Sequence, residues 1–513
     1  MNWLARALNI QNNPAQEDSV FPEIEKFGDN LTPNLRALRL TMTVADVLLS
    51  MGVSANSVVS RALDVTETYC KKPVHIDISS NVLMVSQLRG LEKEPLTLIR
   101  PVALRSVNYM TVQAVQQLIY EIHTGELTLE QAENRLDKIL QKPQEFPSWA
   151  ITLSCGLLVA GVTLMYTSSW QAILTTFIIG MTVERIIHYL SGKAIVAFFQ
   201  QVAAAAFVAL TAATIKYLGD NGVSFFEGMN PTLIVVGGII MLLSGLAVVG
   251  AVQDAIEEYH VTATARLSRV FLQTIGIVVG IMIGLYAARK LGIGIAVSPN
   301  PLLLNTLNMQ IFGGAVASIG YALSSQTSPR AIAWVGLVGA GATWIMYSSI
   351  NWLDISFVAA SGIAAVFVGM TAAFMSRFWK TPSVGIIAAG ILPLVPGLML
   401  YNGLMQLINF PPGHPQFFTA LGTLFNVGAV ALSIAAGASL GSIFGRPFRQ
   451  KVAADRNIEP FVNFLNWQIK PRAKRSMAGF VLGRHRALTS TGATEKIEKT
   501  KDDKPEDDNP YSA

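Results

Sequence analysis

The chain is 513 residues long, 51% of them hydrophobic and only 14% charged, with 41 glycines and a net charge of +5. Soluble chains carry about 25% charged residues, so this composition excludes a wholly soluble globular protein, and so small a net charge gives no case for a nucleic-acid partner. Cys70 in a polar region and Cys155 in an apolar one supply neither a disulfide framework nor a metal-ligand spacing.

Residues 1–35 are polar, contain Pro14, Pro22 and Pro33, and read as a flexible arm with no apolar run long enough for a signal peptide. Residues 36–145 read as a small α+β domain. RALRLTMTVADVLLSMG sets Leu38, Met42, Ala45 and Leu49 on one helical face and stops at Gly52. SANSVVSRALDVTETYC then starts a helix with Ser54 as its cap. KPVHIDISS, NVLMVSQL and EPLTLIRPVAL read as strands, the last two separated by the turn-like RGLEKE. Helices at 106–124 and 128–141 close the domain, the second opened by a Thr128/Gln131 capping box, and Pro143 with Pro147 marks a hinge.

From Trp149 the chain turns apolar. A span needs roughly 20 mostly apolar residues, and ten stretches qualify: 149–166, 170–190, 194–218, 232–252, 268–288, 304–325, 330–350, 355–376, 384–407 and 416–444. With the first end inside, the inner loops carry Arg185, Lys193, Arg266, Arg269, Arg330, Arg377 and Lys380, and the C-terminal side adds Arg446, Arg449 and Lys451. The outer loops hold only Lys216, Arg289 and Lys290. This asymmetry puts both termini in the cytoplasm. Residues 446–513 read as a basic stretch followed by a disordered tail.

Two segments recur in the same order. FVALTAA at 207–213 returns as FVGMTAA at 367–373, and GIIMLLSGL at 238–246 returns as GILPLVPGL at 390–398. They divide the membrane region into five spans at 146–300 and five at 301–445. Five is odd, so the second set enters from the opposite face, which is the inverted-repeat plan of many transporters. In that plan, broken helices at corresponding positions point to the transport site. Pro393, Pro396 and Gly397 interrupt the ninth span opposite Ser244 and Gly245 of the fourth, and a proline frees a carbonyl from helix bonding. Tyr401, Asn402 and Gln406 form a polar stripe just after the break.

VQDAIEEYHVTATAR, 252–266, leaves the fourth span on the inner side, with Asp254, Glu257 and Glu258 at helical spacing. Asp254 suits a proton or a substrate amino group, while Arg266 either offsets that charge or holds a carboxylate. The plain alternative for this stretch is a charged loop. Glu184 and Arg185, near a span end, read as a structural pair. In the soluble domain, His75 and Asp77 share one strand face and, with Asp46, imitate a hydrolytic or metal site. No nucleophile signature or phosphate loop accompanies them, so a structural role is the simpler reading. No cofactor, metal or ATP-driven step is expected.

ADVLLSMG…VHIDIS, LTLEQAENRLDKIL, VQDAIEEYHVTATAR and GILPLVPGLMLYNG together resemble the bacterial threonine/serine exporter family over about residues 36–445. The resemblance implies a cytoplasmic N-terminal domain, ten membrane helices in two groups of five, and export of L-threonine and L-serine driven by the proton motive force. It carries Asp254, Thr262, Arg266, Pro393, Pro396, Gly397 and Tyr401 onto the family's motif positions. The expectation is therefore an α-helical polytopic protein of the bacterial cell membrane, ten helices as a five-plus-five repeat with a small N-terminal α+β domain. It transports rather than catalyses. Its partners are threonine, serine, protons and the bilayer, and a homo-oligomer is compatible with it. An exporter of another small metabolite, or a membrane-anchored hydrolase with 36–141 catalytic, is the alternative.

Overall fold

The computed structural model describes residues 32–445 except 71, 90–93, 104, 142–145, 243–244, 294–304, 380–381 and 411–412. The arm through residue 31, most of the RGLEKE turn, Pro143, Lys380 and the tail from 446 lie outside the described residues.

The first described elements are helices α1 (Pro33–Ser50) and α2 (Ala55–Tyr69), strands β1 (Val74–Ser79), β2 (Val82–Gln87) and β3 (Leu96–Pro101), and helices α3 (Tyr109–His123) and α4 (Leu129–Gln141). The strands pair antiparallel in the order β1-β2-β3, with Ile76 opposite Val85 and Val85 opposite Leu98. Period-two alternation sends Ile76, Ile78, Leu83 and Val85 into the core and leaves His75 outside. Leu38, Leu40, Val44 and Leu48 of α1 join the same core as Val112, Leu118 and Leu136 of α3 and α4. The capping box forms as expected: the Thr128 N–H donates to Gln131 Oε1 (3.0 Å), and the Gln131 N–H to Thr128 Oγ1 (3.4 Å).

Helices follow over every apolar stretch: α5 (Ser148–Leu164), α6 (Trp170–Gly192), α7 (Ala197–Asp220), α8 (Pro231–Ile240), α9 (Gly245–Ile256), α10 (His260–Lys290), α11 (Leu307–Ser324), α12 (Pro329–Leu353), α13 (Phe357–Trp379), α14 (Ser383–Gly390), α15 (Gly397–Asn409) and α16 (Pro415–Phe444). Among the described residues, six of them (α6, α7, α10, α12, α13 and α16) are long and apolar enough to cross a membrane. The protein is thus a mostly helical polytopic membrane protein. Exposed Phe271, Leu272, Trp334 and Phe425 suit contact with lipid.

The fourth and ninth stretches are not continuous helices. α8 ends at Ile240 and α9 begins at Gly245. α14 ends at Gly390, a 3₁₀ turn spans Leu392–Leu394, and α15 starts at Gly397. Neither Pro393 nor Pro396 has an N–H to bond back, and the chain fills the gap with tight turn bonds, Leu394 N–H to Ile391 O and Val395 N–H to Leu392 O. The charged stretch after the fourth span also differs from expectation. It is not an open loop, because α9 runs through Asp254 and α10 begins at His260. Only 257–259 turn the chain, with Glu258 at φ 70°, so Glu258 is not on a helical face with Asp254.

Helix packing repeats between the two sets. α7 lies along α10 and α13 along α16; α5 packs on α6 and α11 on α12; α9 packs on α10 and α15 on α16. The first two contacts are made by small residues one turn apart. Gly276, Gly280 and Gly284 of α10 press on the carbonyls of Phe198, Val202 and Ala206, and a Cβ on Gly284 would stand 2.5 Å from the Ala206 oxygen. On α16, Ser433 donates to Val358 O (2.7 Å), and Gly437 and Gly441 press on the carbonyls of Gly362 and Val366. Overlaying FVALTAA on FVGMTAA matches those carbonyls one to one. α5 and α11 join the two sets reciprocally: a Cβ on Gly161 would lie 2.9 Å from Gly313 O, and one on Gly313 2.6 Å from Gly161 O.

Candidate functional site

The two broken stretches face one cavity of about 510 Å³. Met241 and Leu246 line it at the first break, and Ile391, Leu392, Pro393, Val395 and Gly397 at the second. α5 supplies Cys155 and Leu158, the turn after it Tyr166, α11 supplies Tyr321 and Ser324, and α16 supplies Ala435 and Ala438. Residues 51–57 and Tyr109, from the N-terminal elements, form a further wall. A pocket of this size that is mostly apolar with a few polar groups is what a small-molecule site requires. A second hollow of about 390 Å³ lies between α12 and α13 among Leu337, Phe367 and Phe374, and its nearly apolar lining gives a polar ligand little to bind.

The charged and amide groups of the cavity, Gln253, Arg266, Arg269 and Gln273, come from α9 and α10, with the Ser54 hydroxyl close to Gln253 at Glu257; Ser57, Tyr166, Tyr321 and Ser324 add further hydroxyls to the lining. Of the residues expected from sequence, Arg266, Pro393 and Gly397 line the cavity. Pro396 is the N-cap of α15, and Asn402 lies on α15 with its Oδ1 buried and without a hydrogen-bond partner. The side chain of Tyr401 lies outside the described residues. Sequence reading did not select Gln253, Arg269 or Gln273 as site residues, although 266, 269 and 273 fall on one face of α10 at helical spacing.

Asp254 and Thr262 do something else. Asp254 is completely buried, its Oδ2 2.7 Å from Arg266 Nη1 in a close ion pair not aligned as a hydrogen bond. Its Oδ1 accepts the Ala55 N–H (3.0 Å) at the start of α2, where a negative charge is favoured. Ser54 occupies the N-cap position as expected but does not cap with its side chain; its hydroxyl donates to Ser57 Oγ (2.9 Å), and a carboxylate far away in sequence holds the helix end instead. Arg266 also donates to Val53 O (3.2 Å). The Thr262 hydroxyl donates to Ile78 O (3.3 Å) and accepts from the Ser80 N–H (3.2 Å), fastening β1 to α10.

A second attachment joins α3 to the end of α11. Asn108 Nδ2 donates to Gln326 Oε1 (2.7 Å), and the N–H groups of Tyr109 and Met110 donate to the carbonyls of Ser325 and Gln326. Tyr109 packs on Gly385, where a Cβ would sit 3.0 Å from its ring. Burial, together with the Tyr321 phenol hydrogen-bonded to it, pushes the Tyr109 hydroxyl well above the usual tyrosine range.

Glu257 accepts from Gln253 Nε2 (3.0 Å), and its Oε2 is buried without a hydrogen-bond partner. Burial raises its carboxyl above the ordinary range, against the lowering effect of the Gln253 and Ser54 hydrogen bonds. Glu184 is paired with Arg185 (3.4 Å) and accepts from the Thr152 hydroxyl (2.7 Å), the structural role expected of it.

Asp46, His75 and Asp77 are not brought together. Asp46 is buried, facing Arg100 and Arg105, and burial raises its carboxyl although both arginines work against the shift. His75 and Asp77 lie on the opposite face of the sheet, His75 exposed and Asp77 near Tyr259.

Residues 39–287 match a family model described as "Putative threonine/serine exporter", and residues 310–444 match one described as "Threonine/Serine exporter, ThrE". The chain is 29% identical to the "Probable threonine/serine exporter" of Mycobacterium tuberculosis (strain ATCC 25618 / H37Rv) over 427 residues, 81% of this chain and 77% of that protein. It is also 29% identical to the "Threonine/serine exporter" of Corynebacterium glutamicum over 424 residues, 80% of this chain and 83% of that protein. No solved structure matches it. The segments carrying the sequence resemblance fall inside these matches, and the chain belongs to the threonine/serine exporter family.

Proposed function

We propose that the protein exports L-threonine and L-serine across the bacterial cell membrane as a secondary transporter, through the cavity between its two broken spans. The observation that carries this reading is the meeting of Met241 and Leu246 with Ile391, Pro393 and Gly397 around one space whose lining bears two arginines. Unwound backbone at matching places in two sets of helices is where transporters hold small polar substrates.

Ten spans in two inverted groups of five belong to the same proposal. Its support is the repeated helix pairing, the matched carbonyl contacts of α7 with α10 and α13 with α16, and the reciprocal Gly161–Gly313 crossing. In this topology the turns at 257–259 and 325–328 share one membrane face with residues 32–141, and their bonds to Ser80, Ala55 and Asn108 fit that arrangement. Positive-inside bias makes that face cytoplasmic, with residues 36–145 as a cytoplasmic domain that walls the inner mouth of the cavity. For coupling to the proton motive force, Glu257 is a better candidate than Asp254, whose charge Arg266 already balances.

The test is threonine efflux from dipeptide-loaded cells with and without the gene, at several external pH values. Efflux that depends on the gene and falls when the proton gradient is collapsed is expected. Unchanged efflux on deletion ends the threonine reading, and gene-dependent efflux indifferent to the gradient ends the coupling reading.

A further inference from the structure

We propose that Arg269 is the residue that binds the substrate's carboxylate. This deepens the export reading and rests on it for the identity of the ligand.

The cavity lining contains two arginines, Arg266 and Arg269, and no acidic side chain. From sequence, Arg266 either offsets the charge of Asp254 or holds a carboxylate; the structure shows its guanidinium engaged by Asp254 at 2.7 Å and by Val53 O at 3.2 Å. Arg269, one turn further along α10, is exposed where it lines the cavity and pairs with no carboxylate among the described residues. Among the described residues, the cavity lining therefore carries one positive charge that no carboxylate balances. An occupant that brings an anionic group lowers the electrostatic cost of that charge, and a guanidinium fork matches a carboxylate in two parallel hydrogen bonds.

The neighbours suit such a ligand. Gln273 stands one turn beyond Arg269 on the same face, and Gln253, Ser54 and Ser57 offer amide and hydroxyl groups to the same cavity. Gln253 is held from behind by Glu257 (3.0 Å), which fixes the direction of its amide. The apolar remainder, which includes Leu158, Val162 and Ile391, leaves room for a small side chain. A planar or tetrahedral oxyanion could come from a lipid headgroup instead, since Arg269 lies toward one end of α10, so the experiment separates the two sources.

The full-length protein in nanodiscs is tested for binding of radiolabelled L-threonine and of a plain carboxylate such as lactate, as wild type, Arg269→Gln and Arg269→Lys. The nanodiscs are made once with phosphatidylcholine and once with phosphatidylglycerol. Arg269→Gln is expected to weaken threonine binding about tenfold or more, the scale of a lost charge-assisted pair, with partial recovery in Arg269→Lys. L-Threoninol, which lacks the carboxylate, is expected to compete poorly with wild type. Threonine binding unchanged in Arg269→Gln overturns the proposal, as does equal competition by threoninol. An effect of the substitution seen only in phosphatidylglycerol assigns Arg269 to a headgroup and also overturns it. If wild type ignores threonine but binds lactate through Arg269, the inference stands and the threonine reading falls.

Discussion

The two sets of membrane helices share a skeleton and differ in chemistry. Each has a long pair locked by small residues, α7 with α10 and α13 with α16, and each has one broken member facing the cavity. Yet every charged or amide side chain lining the cavity, Gln253, Arg266, Arg269 and Gln273, comes from the first set. The second gives apolar groups, Tyr321, Ser324 and the proline turn. The breaks differ in kind too. Pro393 and Pro396 enforce the second, whereas the first interrupts a proline-free run between Ile240 and Gly245. Packing is what the two sets have in common, since close helix contact admits few residue types. The charged and amide side chains are concentrated where the N-terminal elements are fastened.

Breaking the shared skeleton should have the largest effect. Gly284→Leu drives a side chain into the Ala206 carbonyl, and the equivalent Gly441→Leu into that of Val366. Each should cost about 3 kcal/mol or more by overpacking and lower the melting temperature of the purified protein steeply. Gly422→Ala and Gly428→Ala on α16, with nothing within 4 Å of the added carbon, should leave it unchanged or slightly raised.

The asymmetric part comes next. Asp254→Ala leaves Arg266 without its partner and the Ala55 N–H without its acceptor. Removing one member of a buried pair costs about 3–5 kcal/mol, so residues 51–57 should become open to protease while α13 and α16 stay protected. Thr262→Val keeps the shape and removes one bond to β1 and one to the turn after it. A loss of about 1–2 kcal/mol in thermal or denaturant unfolding is expected.

The smallest effect is a pH slope. Burial raises Glu257 above its ordinary value of 4.5, with Asp254 adding to the rise while Gln253, Ser54 and Arg266 oppose it. A carboxyl raised in the folded state contributes stability that is complete below 4.5 and is lost as pH rises through the native value. The melting temperature of wild type should therefore fall relative to Glu257→Gln between pH 4.5 and 7. Parallel curves would remove Glu257 as a buried titrating group.

Much of this was legible in sequence because apolar length and proline act locally. All ten apolar stretches became helical, and the break at 393–397 lies where the prolines put it. The strand alternation around Ile76 and Ile78 and the Thr128 capping box were readable for the same reason. What could not be read were partnerships across the fold. Nothing near Ser54 tells that Asp254 caps its helix, and nothing near Arg266 tells that Asp254 and Val53 engage it, leaving Arg269 as the open cation. Likewise, Asp46 and His75 resemble partners in sequence, but the sheet separates them.

In the proposed function, substrate passes through the cavity between the two breaks. Ala247 on α9 lines that cavity and is exposed, so Ala247→Trp fills it without disturbing a packed contact. At equal amounts of protein in the membrane, threonine efflux from Ala247→Trp cells should drop to that of cells lacking the gene. Leu272→Trp, on the exposed side of α10, should export normally. Wild-type efflux from Ala247→Trp would mean that substrate does not pass through this cavity.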